Sequence, residues 1–370
     1  MDITSITLKE LQAVVADIMP KGKIAAGYTP SFNDTTLALN KIGKQWILPQ
    51  MYENRLASFI KETLPLGQTV EELFKKLAGL YDYDRTGTKA LKPFDPDFMP
   101  AVYSYTLPEK VIPVTTRVSE YQSACISDEA YNRLVADIAK SDMDATNVYE
   151  YALCRELLAR AVQLCEDTHA SSVATFATKT AYKKGDLVKS GSTFARVISD
   201  IPATNSTTFD NLLGKSLIAL SFSEVVAKPT DDVTAENFFI KIKECEEVAS
   251  DISEGHSLNG CTIGTARGSL KLYVKQGILP AADVKARAGT FNLQYINPET
   301  DIKVVKDFGD LDENIYAILV DERGLALFPS VDYVMSNSNG EGGFYTNFHH
   351  LKFTAAVSTA TYIHYFKATE

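Results

Sequence analysis

The chain has 370 residues, of which 45% are hydrophobic and 23% are charged, and its formal net charge is −10. This composition is that of a folded protein long enough for one elaborated domain or for two to three lobes. The acidic balance argues against nucleic acid as a primary ligand, because nucleic-acid binders present a basic face.

The first 45 residues predict a short helix followed by a Gly-, Pro-, Ser- and Asn-rich stretch. Such a leader buries little apolar surface by itself, so it is either disordered or an arm that a neighbouring molecule orders. The next segment has enough apolar residues to dock, and the folded body is therefore expected to begin near Trp46.

Residues 64–118 predict a helix followed by an extended return. Thr69 and Glu72 match a capping box, and four apolar residues at helical spacing follow it as an expected anchor for assembly. These four are Val70, Leu73, Phe74 and Leu77. The prolines between Pro93 and Pro113 exclude helix and favour strands.

Two helices are predicted next, one capped by Ser127 and a longer one beginning at Asn147. The longer helix carries an apolar stripe at a spacing near 3.6 residues, which is typical of a buried structural axis. The residues of the stripe are Tyr151, Cys154, Leu158 and Val162, with Val148 and Cys165 at its two ends.

The hydropathy pattern changes after Thr178, where apolar and polar residues alternate around Gly185 and Gly191. This alternation predicts a small inserted β module over residues 178–225. Tyr182 and Phe194 are its candidate residues for a surface ligand. A helical pattern returns at Thr234, and strands are predicted from residue 301 to the C-terminus.

The cysteines and the hydropathy pattern both point to synthesis in a reducing cytosol. Five cysteines without a CxxC pair indicate buried thiols. They are Cys125, Cys154, Cys165, Cys245 and Cys261. The N-terminus lacks the pattern of a signal peptide, and apolar runs stay below the ~20 residues that span a bilayer, so no membrane association is expected.

Motifs for catalysis, cofactors or metals are weak. Gly214-Lys215-Ser216 resembles the end of a phosphate-binding loop, but Phe209 stands where that loop requires glycine. His349 and His350 are adjacent in a predicted strand, so they lie on opposite faces and do not share a metal. The sequence therefore predicts a protein that is not an enzyme and has no catalytic, cofactor or metal site.

The order of these parts resembles the major capsid proteins of tailed bacteriophages, which have the HK-ninety-seven-like fold, and in particular those of short-tailed phages. The resemblance rests on "PLGQTVEELFKKLAGLYDYD", on "PAVYSYTLPEKVIPVTTR" and on the helices that follow, ending at "CRELLARAVQ". It also rests on "NFFIKIKECEEVAS" and on the run from "NIYAILVDE" to "NFHHLKF".

The resemblance implies an α+β chain with an N-terminal arm, an extended loop, a peripheral domain with a long spine helix, an axial domain and the inserted β domain. The implied segments are an arm at 1–45, an arm-to-core segment at 46–63, the extended loop at 64–118, the peripheral domain with its spine helix at 119–177, the insertion at 178–225, the second peripheral helix at 226–257, the axial domain at 258–345 and the returning C-terminal strands at 346–370.

The implied function is self-assembly into the icosahedral or prolate head that encloses double-stranded DNA. The implied partners are copies of the chain in pentamers and hexamers, a portal protein and scaffolding or decoration proteins, with DNA contacted only non-specifically. The chain would be made in the host bacterial cytoplasm and reside in the virion. Three alternatives remain open: a glycan-binding surface protein that uses residues 178–225, a hydrolase that uses buried carboxylates in a deep polar cleft, and a bacterial nanocompartment shell of the same fold.

Overall fold

The structure is a computed structural model. It describes residues 54–64, 70–75, 98–103, 106–124, 128–168, 173–220, 222–278 and 300–368. The predicted arm at 1–45, Leu77, Ser127 and Cys125 lie outside these residues.

The described residues form an α+β chain that divides into two compact units. Unit 1 comprises residues 1–68, 105–154 and 327–355, and unit 2 comprises residues 69–104, 155–326 and 356–370. Each unit therefore draws on distant parts of the sequence.

The largest sheet of unit 2 has five strands in the order β10-β9-β11-β14-β8. Its strands are β8 (Ser223–Val225), β9 (Leu270–Lys275), β10 (Asp301–Val305), β11 (Ile315–Asp321) and β14 (Ile363–Lys367). Every residue of β11 is buried, as expected for a central strand that is covered on both faces. Strands were predicted at the positions of β10, β11 and β14, and these predictions are confirmed.

Helix α4 (Asp232–Ser250) packs on this sheet. Asp231 and Thr234 form a capping box at its start, in which Asp231 Oδ1 accepts a 2.8 Å hydrogen bond from the Thr234 amide. Its inner face buries Phe238, Phe239 and Ile242 in the core of the unit. The predicted helix is confirmed.

The sheet of unit 1 has the order β12-β13-β3. It consists mainly of residues of that unit, and its strands are β3 (Lys110–Arg117), β12 (Leu325–Asn339) and β13 (Phe344–Val357). The glycine-rich sequence between β12 and β13 is a turn, and Gly343 has a positive φ of 61° that favours glycine. The strands predicted in this part of the sequence are confirmed, and Leu325–Asn339 forms the single strand β12.

Two helices follow β3, namely α1 (Val118–Ala124) and α2 (Asp128–Thr168). The prediction of two separate helices over the range of α2 is wrong, because α2 continues through Asn147 without a break. No glycine or proline occurs between residues 128 and 168. The polar residues around the expected boundary each cost only a few tenths of a kcal/mol in a helix interior, roughly, which is too little to interrupt it.

The predicted helix after Thr69 is also wrong. Residues Val70–Lys75 form strand β1, which pairs antiparallel with β2 (Phe98–Tyr103) in a two-stranded sheet. Glu72 does not cap a helix; its Oε1 accepts a 2.7 Å hydrogen bond from the Ser358 hydroxyl. The main-chain pairing with β2 outweighs the local helix signal, since propensity is only a weak prior.

A four-stranded sheet lies in residues 174–220, with the order β4-β5-β6-β7. Its elements are β4 (Ala174–Thr175), β5 (Leu187–Ser190), β6 (Thr193–Val197), the short helix α3 (Phe209–Leu212) and β7 (Leu217–Leu220). The antiparallel pairing predicted here is confirmed for β5, β6 and β7. The sheet begins before residue 178, and Ser223–Val225 belongs to the five-stranded sheet instead.

Candidate functional site

Helix α2 carries the apolar stripe that the sequence predicted. Cys154, Leu158 and Val162 are fully buried, whereas Tyr151 is half-buried. The Cys154 thiol donates a 3.6 Å hydrogen bond to the Leu56 carbonyl oxygen in the same unit. Burial is the main reason that the pKa of Cys154 rises to about 12. The predicted end of the stripe at Val148 is exposed.

Strand β1 holds three of the four residues predicted as an assembly anchor. Val70, Leu73 and Phe74 lie in β1, and Leu77 lies outside the described residues. Consecutive positions in a strand belong to opposite faces, so Leu73 and Phe74 do not form the single helical stripe that the spacing predicted. Among the described residues, β1 and β2 pair only with each other, so each strand has one edge without a ladder partner there.

A charged cluster joins α2 to the sheet within unit 1. His349 Nδ1 lies 2.9 Å from the Asp142 carboxylate, and its Nε2 lies 2.8 Å from Asp332 Oδ1. Burial lowers the pKa of His349, but the two carboxylates outweigh it and raise that pKa to about 9. Burial and then the charge of Asp332 raise the pKa of Glu150 on α2 to about 7, against the opposing effect of His349.

His350 belongs to a different set of contacts. Its Nδ1 lies 2.6 Å from Glu109 Oε1, and its ring stacks on Tyr333 with centroids 4.7 Å apart. The expectation that His349 and His350 have separate surroundings is therefore confirmed. Neither the Asp332 nor the Glu109 carboxylate was paired with a histidine by sequence reasoning, because the partners are far apart along the chain.

The inserted module does not present the two predicted aromatic rings as an exposed platform. Tyr182 is 9% exposed and belongs to the module's core, where its ring stacks on Phe176 at 5.3 Å and its hydroxyl accepts a 2.8 Å hydrogen bond from the Ala177 amide. Phe194 is half-buried. The assignment of Tyr182 to a surface ligand is wrong, since a small sheet must bury its largest rings to form a core.

Arg196 anchors this module to the loop after α4. The side chain is 6% exposed, and its guanidinium donates to the carbonyl oxygens of Ser257 at 3.0 Å and Leu258 at 2.6 Å. Burial lowers the pKa of Arg196, partly offset by Glu254. A Cβ at Gly260 would lie 2.8 Å from Arg196 Nη1, so the guanidinium requires glycine there. Sequence reasoning missed this contact.

Replacing Arg196 with lysine is expected to loosen the module. A lysine keeps the charge, but it lacks the planar, forked donors with which arginine binds several carbonyl oxygens at once. Buried acceptors would therefore lose their partners, which lowers the stability of the fold by roughly 1–3 kcal/mol. Hydrogen exchange measured by mass spectrometry should accelerate in β5–β7 and in residues 254–260. Arg160→Lys, at an exposed position of α2, is the matched control and should exchange like wild type; equal protection in both variants would contradict the assigned anchor.

Three potential metal ligands come together beside the five-stranded sheet. They are Glu224 of β8, Cys245 of α4 and His364 of β14, and their ligand atoms all lie within 4.8 Å of one another. Burial, and then the nearby Glu224 carboxylate, raise the pKa of Cys245 to about 12. Glu224 and His364 are more than a hundred residues apart in the chain, so no local sequence pattern connects them.

In the part of the chain that the structure describes, every helix is too short or too polar to cross a bilayer.

The sequence matches the model of the Phi29-like phage major capsid protein family over residues 7–367. The chain belongs to this family. It is accordingly a shell-forming protein of a phage head and a component of the virion. The resemblance deduced from the order of its segments is thereby confirmed, and the glycan-binding and nanocompartment alternatives are not favoured. No curated protein sequence matches the chain significantly.

Solved structures agree with this assignment at the level of the fold. The capsid structure of Staphylococcus phage Andhra matches with a TM-score of 0.55 and 11% identity, covering 88% of this capsid protein and 89% of that chain. A structure of native bacteriophage P68, described as that of its head fiber and inner core protein gp22, matches with a TM-score of 0.50 and 12% identity over 87% and 86% of the two chains. At such identities the likeness shows a shared fold.

Proposed function

We propose that copies of this capsid protein assemble into the icosahedral or prolate head that encloses the double-stranded DNA of a tailed phage. The observation that carries the proposal is the family match over residues 7–367. Subunits would form pentamers and hexamers through heterologous contacts, which close into rings where the rotation between copies permits. Several interfaces of about 1,200–2,000 Å² each would make the shell stable even where a single contact is weak.

Each predicted segment would have its own role in the assembled shell. Residues 1–45 would be an arm that becomes ordered on assembly, and residues 64–118 would be an extended loop that reaches a neighbouring subunit. The peripheral domain would hold α2 as its spine, with Tyr151, Cys154, Leu158 and Val162 facing its core. Residues 258–345 would form the axial domain, and the inserted module would brace neighbouring subunits.

The sheet of β1 and β2 supports the role of the extended loop. An isolated two-stranded sheet is marginally stable in water, and its edges are templates for further pairing. A neighbouring subunit that pairs with or packs on these two strands would stabilise them. Val70, Leu73 and Phe74, the apolar residues of β1, would make that contact.

The acidic character of the protein fits a container for DNA. A net charge of −10 does not favour adhesion to phosphate groups, so the packaged genome would be contacted only non-specifically. The chain would be made in the host bacterial cytoplasm and would meet a portal protein there, with scaffolding or decoration proteins as further partners.

A hairpin variant tests the proposal. Leu73→Glu combined with Phe74→Glu places a charge on each face of β1, and burying those charges at an interface costs several kcal/mol, roughly, per contact. The expected result is a soluble, folded subunit that forms no closed particles in negative-stain electron micrographs.

Glu71→Gln is the matched control, because Glu71 lies in the same strand and is exposed. It should form particles like those of wild type. Circular dichroism and thermal unfolding of all three proteins separate a failure of assembly from a failure of folding. Normal particles from the folded double variant would refute the assigned role of the hairpin.

A further inference from the structure

The cluster of Glu224, Cys245 and His364 has the composition of a metal site. Thiolate, imidazole and carboxylate are the donors that zinc proteins use. The three residues come from three different elements, namely β8, α4 and β14, all within unit 2. Cys245 and His364 are buried, at 6% and 2% exposure, so two of the donors are held by the packed core.

The spacing of the donor atoms is close to that of a tetrahedral ion. Bonds of about 2.0–2.3 Å place neighbouring ligand atoms roughly 3.5 Å apart around zinc. Here Cys245 Sγ lies 3.9 Å from Glu224 Oε2, and all three donor atoms fall within 4.8 Å of one another. The three donor atoms therefore lie close to the separations that coordination to one ion requires.

Glu224 divides its two carboxylate oxygens between two partners. Oε1 lies 3.0 Å from Lys241 Nζ, whereas Oε2 points toward the Cys245 thiol. The ammonium group therefore holds the carboxylate through Oε1 and leaves Oε2 as the donor, in the way that outer partners orient metal ligands. The Glu224 side chain is 31% exposed, which gives an ion a path from solvent.

We propose that Glu224, Cys245 and His364 bind one Zn²⁺ ion, whose fourth position is taken by water from the Glu224 side. Binding releases the thiol proton of Cys245 to solvent, and the thiolate, the neutral imidazole and the carboxylate then coordinate the ion. Such a site would tie the edge strand β8 to β14 and to α4. Its role would be structural, because it joins three elements that the main-chain ladder connects only in part.

Metal content tests the proposal directly. The untagged protein, expressed with zinc in the medium and dialysed exhaustively against metal-free buffer, should retain about one zinc per chain by inductively coupled plasma mass spectrometry. Adding zinc to chelator-treated protein should raise the melting temperature, since a ligand that binds only the folded state stabilises it. Cobalt in place of zinc should give a thiolate-to-metal charge-transfer absorption.

Cys245→Ser and Glu224→Gln keep the size of their side chains and should reduce bound zinc at least tenfold. Cys261→Ser removes another buried thiol of the same unit and should leave the zinc content unchanged. Wild-type protein that retains less than a tenth of an equivalent of zinc, with no change in melting temperature on zinc addition, would overturn the proposal. Equal zinc content in wild type and Cys245→Ser would overturn it as well. Because the assay needs no particles, it is independent of the assembly test.

Discussion

At pH 8 the Glu150→Gln variant of the soluble subunit is expected to unfold at a higher temperature than wild type. Glu150 has an ordinary pKa of 4.5, which the fold raises to about 7. As the pH rises from 4.5 to 7, the unfolded chain therefore gives up its proton before the folded chain does. The folded state loses stability over this window, by roughly 2 kcal/mol for a half-buried group, and glutamine removes the loss.

His349 changes stability in the same direction at higher pH. Its pKa rises from 6.5 to about 9 in the fold, so its stabilising charge is fully present below pH 6.5 and is lost as the pH approaches 9. Glu150 and His349 therefore both lower the stability of wild type as the pH rises from 4.5 to 9. Differential scanning calorimetry of wild type and of the Glu150→Gln variant at pH 4 and pH 8 measures the contribution of Glu150.

Glu156→Gln is the matched control for this experiment, since Glu156 is exposed on the same helix. It should melt like wild type at both pH values. The Glu150 variant should also match wild type at pH 4, where the native carboxyl is already neutral. A Glu150→Gln variant less stable than wild type at pH 8 would show that the carboxylate forms stabilising bonds and would refute the assignment.

Replacing Phe238 with alanine is expected to lower the free energy of unfolding by about 3–5 kcal/mol. The Phe238 side chain is fully buried in the core between α4 and the five-stranded sheet. Its ring centroid lies 5.5 Å from that of Tyr316 and 5.8 Å from that of Phe366. Truncation would remove these contacts and leave a cavity in rigid surroundings.

Urea denaturation of the subunit, followed by circular dichroism, measures this loss. Val233→Ala provides the control, because Val233 lies in the first turn of the same helix and is 77% exposed. It should change the unfolding free energy by less than about 0.5 kcal/mol. If Phe238→Ala also fell within about 1 kcal/mol of wild type, the core assigned to α4 would be wrong.

Regular elements with strong patterns were predictable from the sequence. Strand β11 is an unbroken apolar run from Ile315 to Val320, and α4 has a clear helical period, so local preference and burial agree for both. Errors arose where two signals conflicted. The residues after Thr69 match a capping box, but a strand partner 23 to 33 residues away in the chain determines their structure.

The local sequence did not predict where some helices begin or which distant side chains come into contact. The predicted start at Asn147 failed because a good capping residue does not interrupt a helix that lacks a breaker. Likewise, the contacts of His349 with Asp142 and of Arg196 with Leu258 join positions that no short motif connects. Only the tertiary fold brings these side chains together. The resemblance to the capsid family predicts the fold, but it does not predict these individual contacts.

The buried thiols have a consequence for the life of the particle outside the cell. Cys154, Cys165 and Cys261 are all buried, and burial raises the pKa of the first two. Because the thiolate is the reactive form, these sulfurs should resist oxidants in aerated water. In a released virion, these positions would therefore not form disulfide cross-links between subunits.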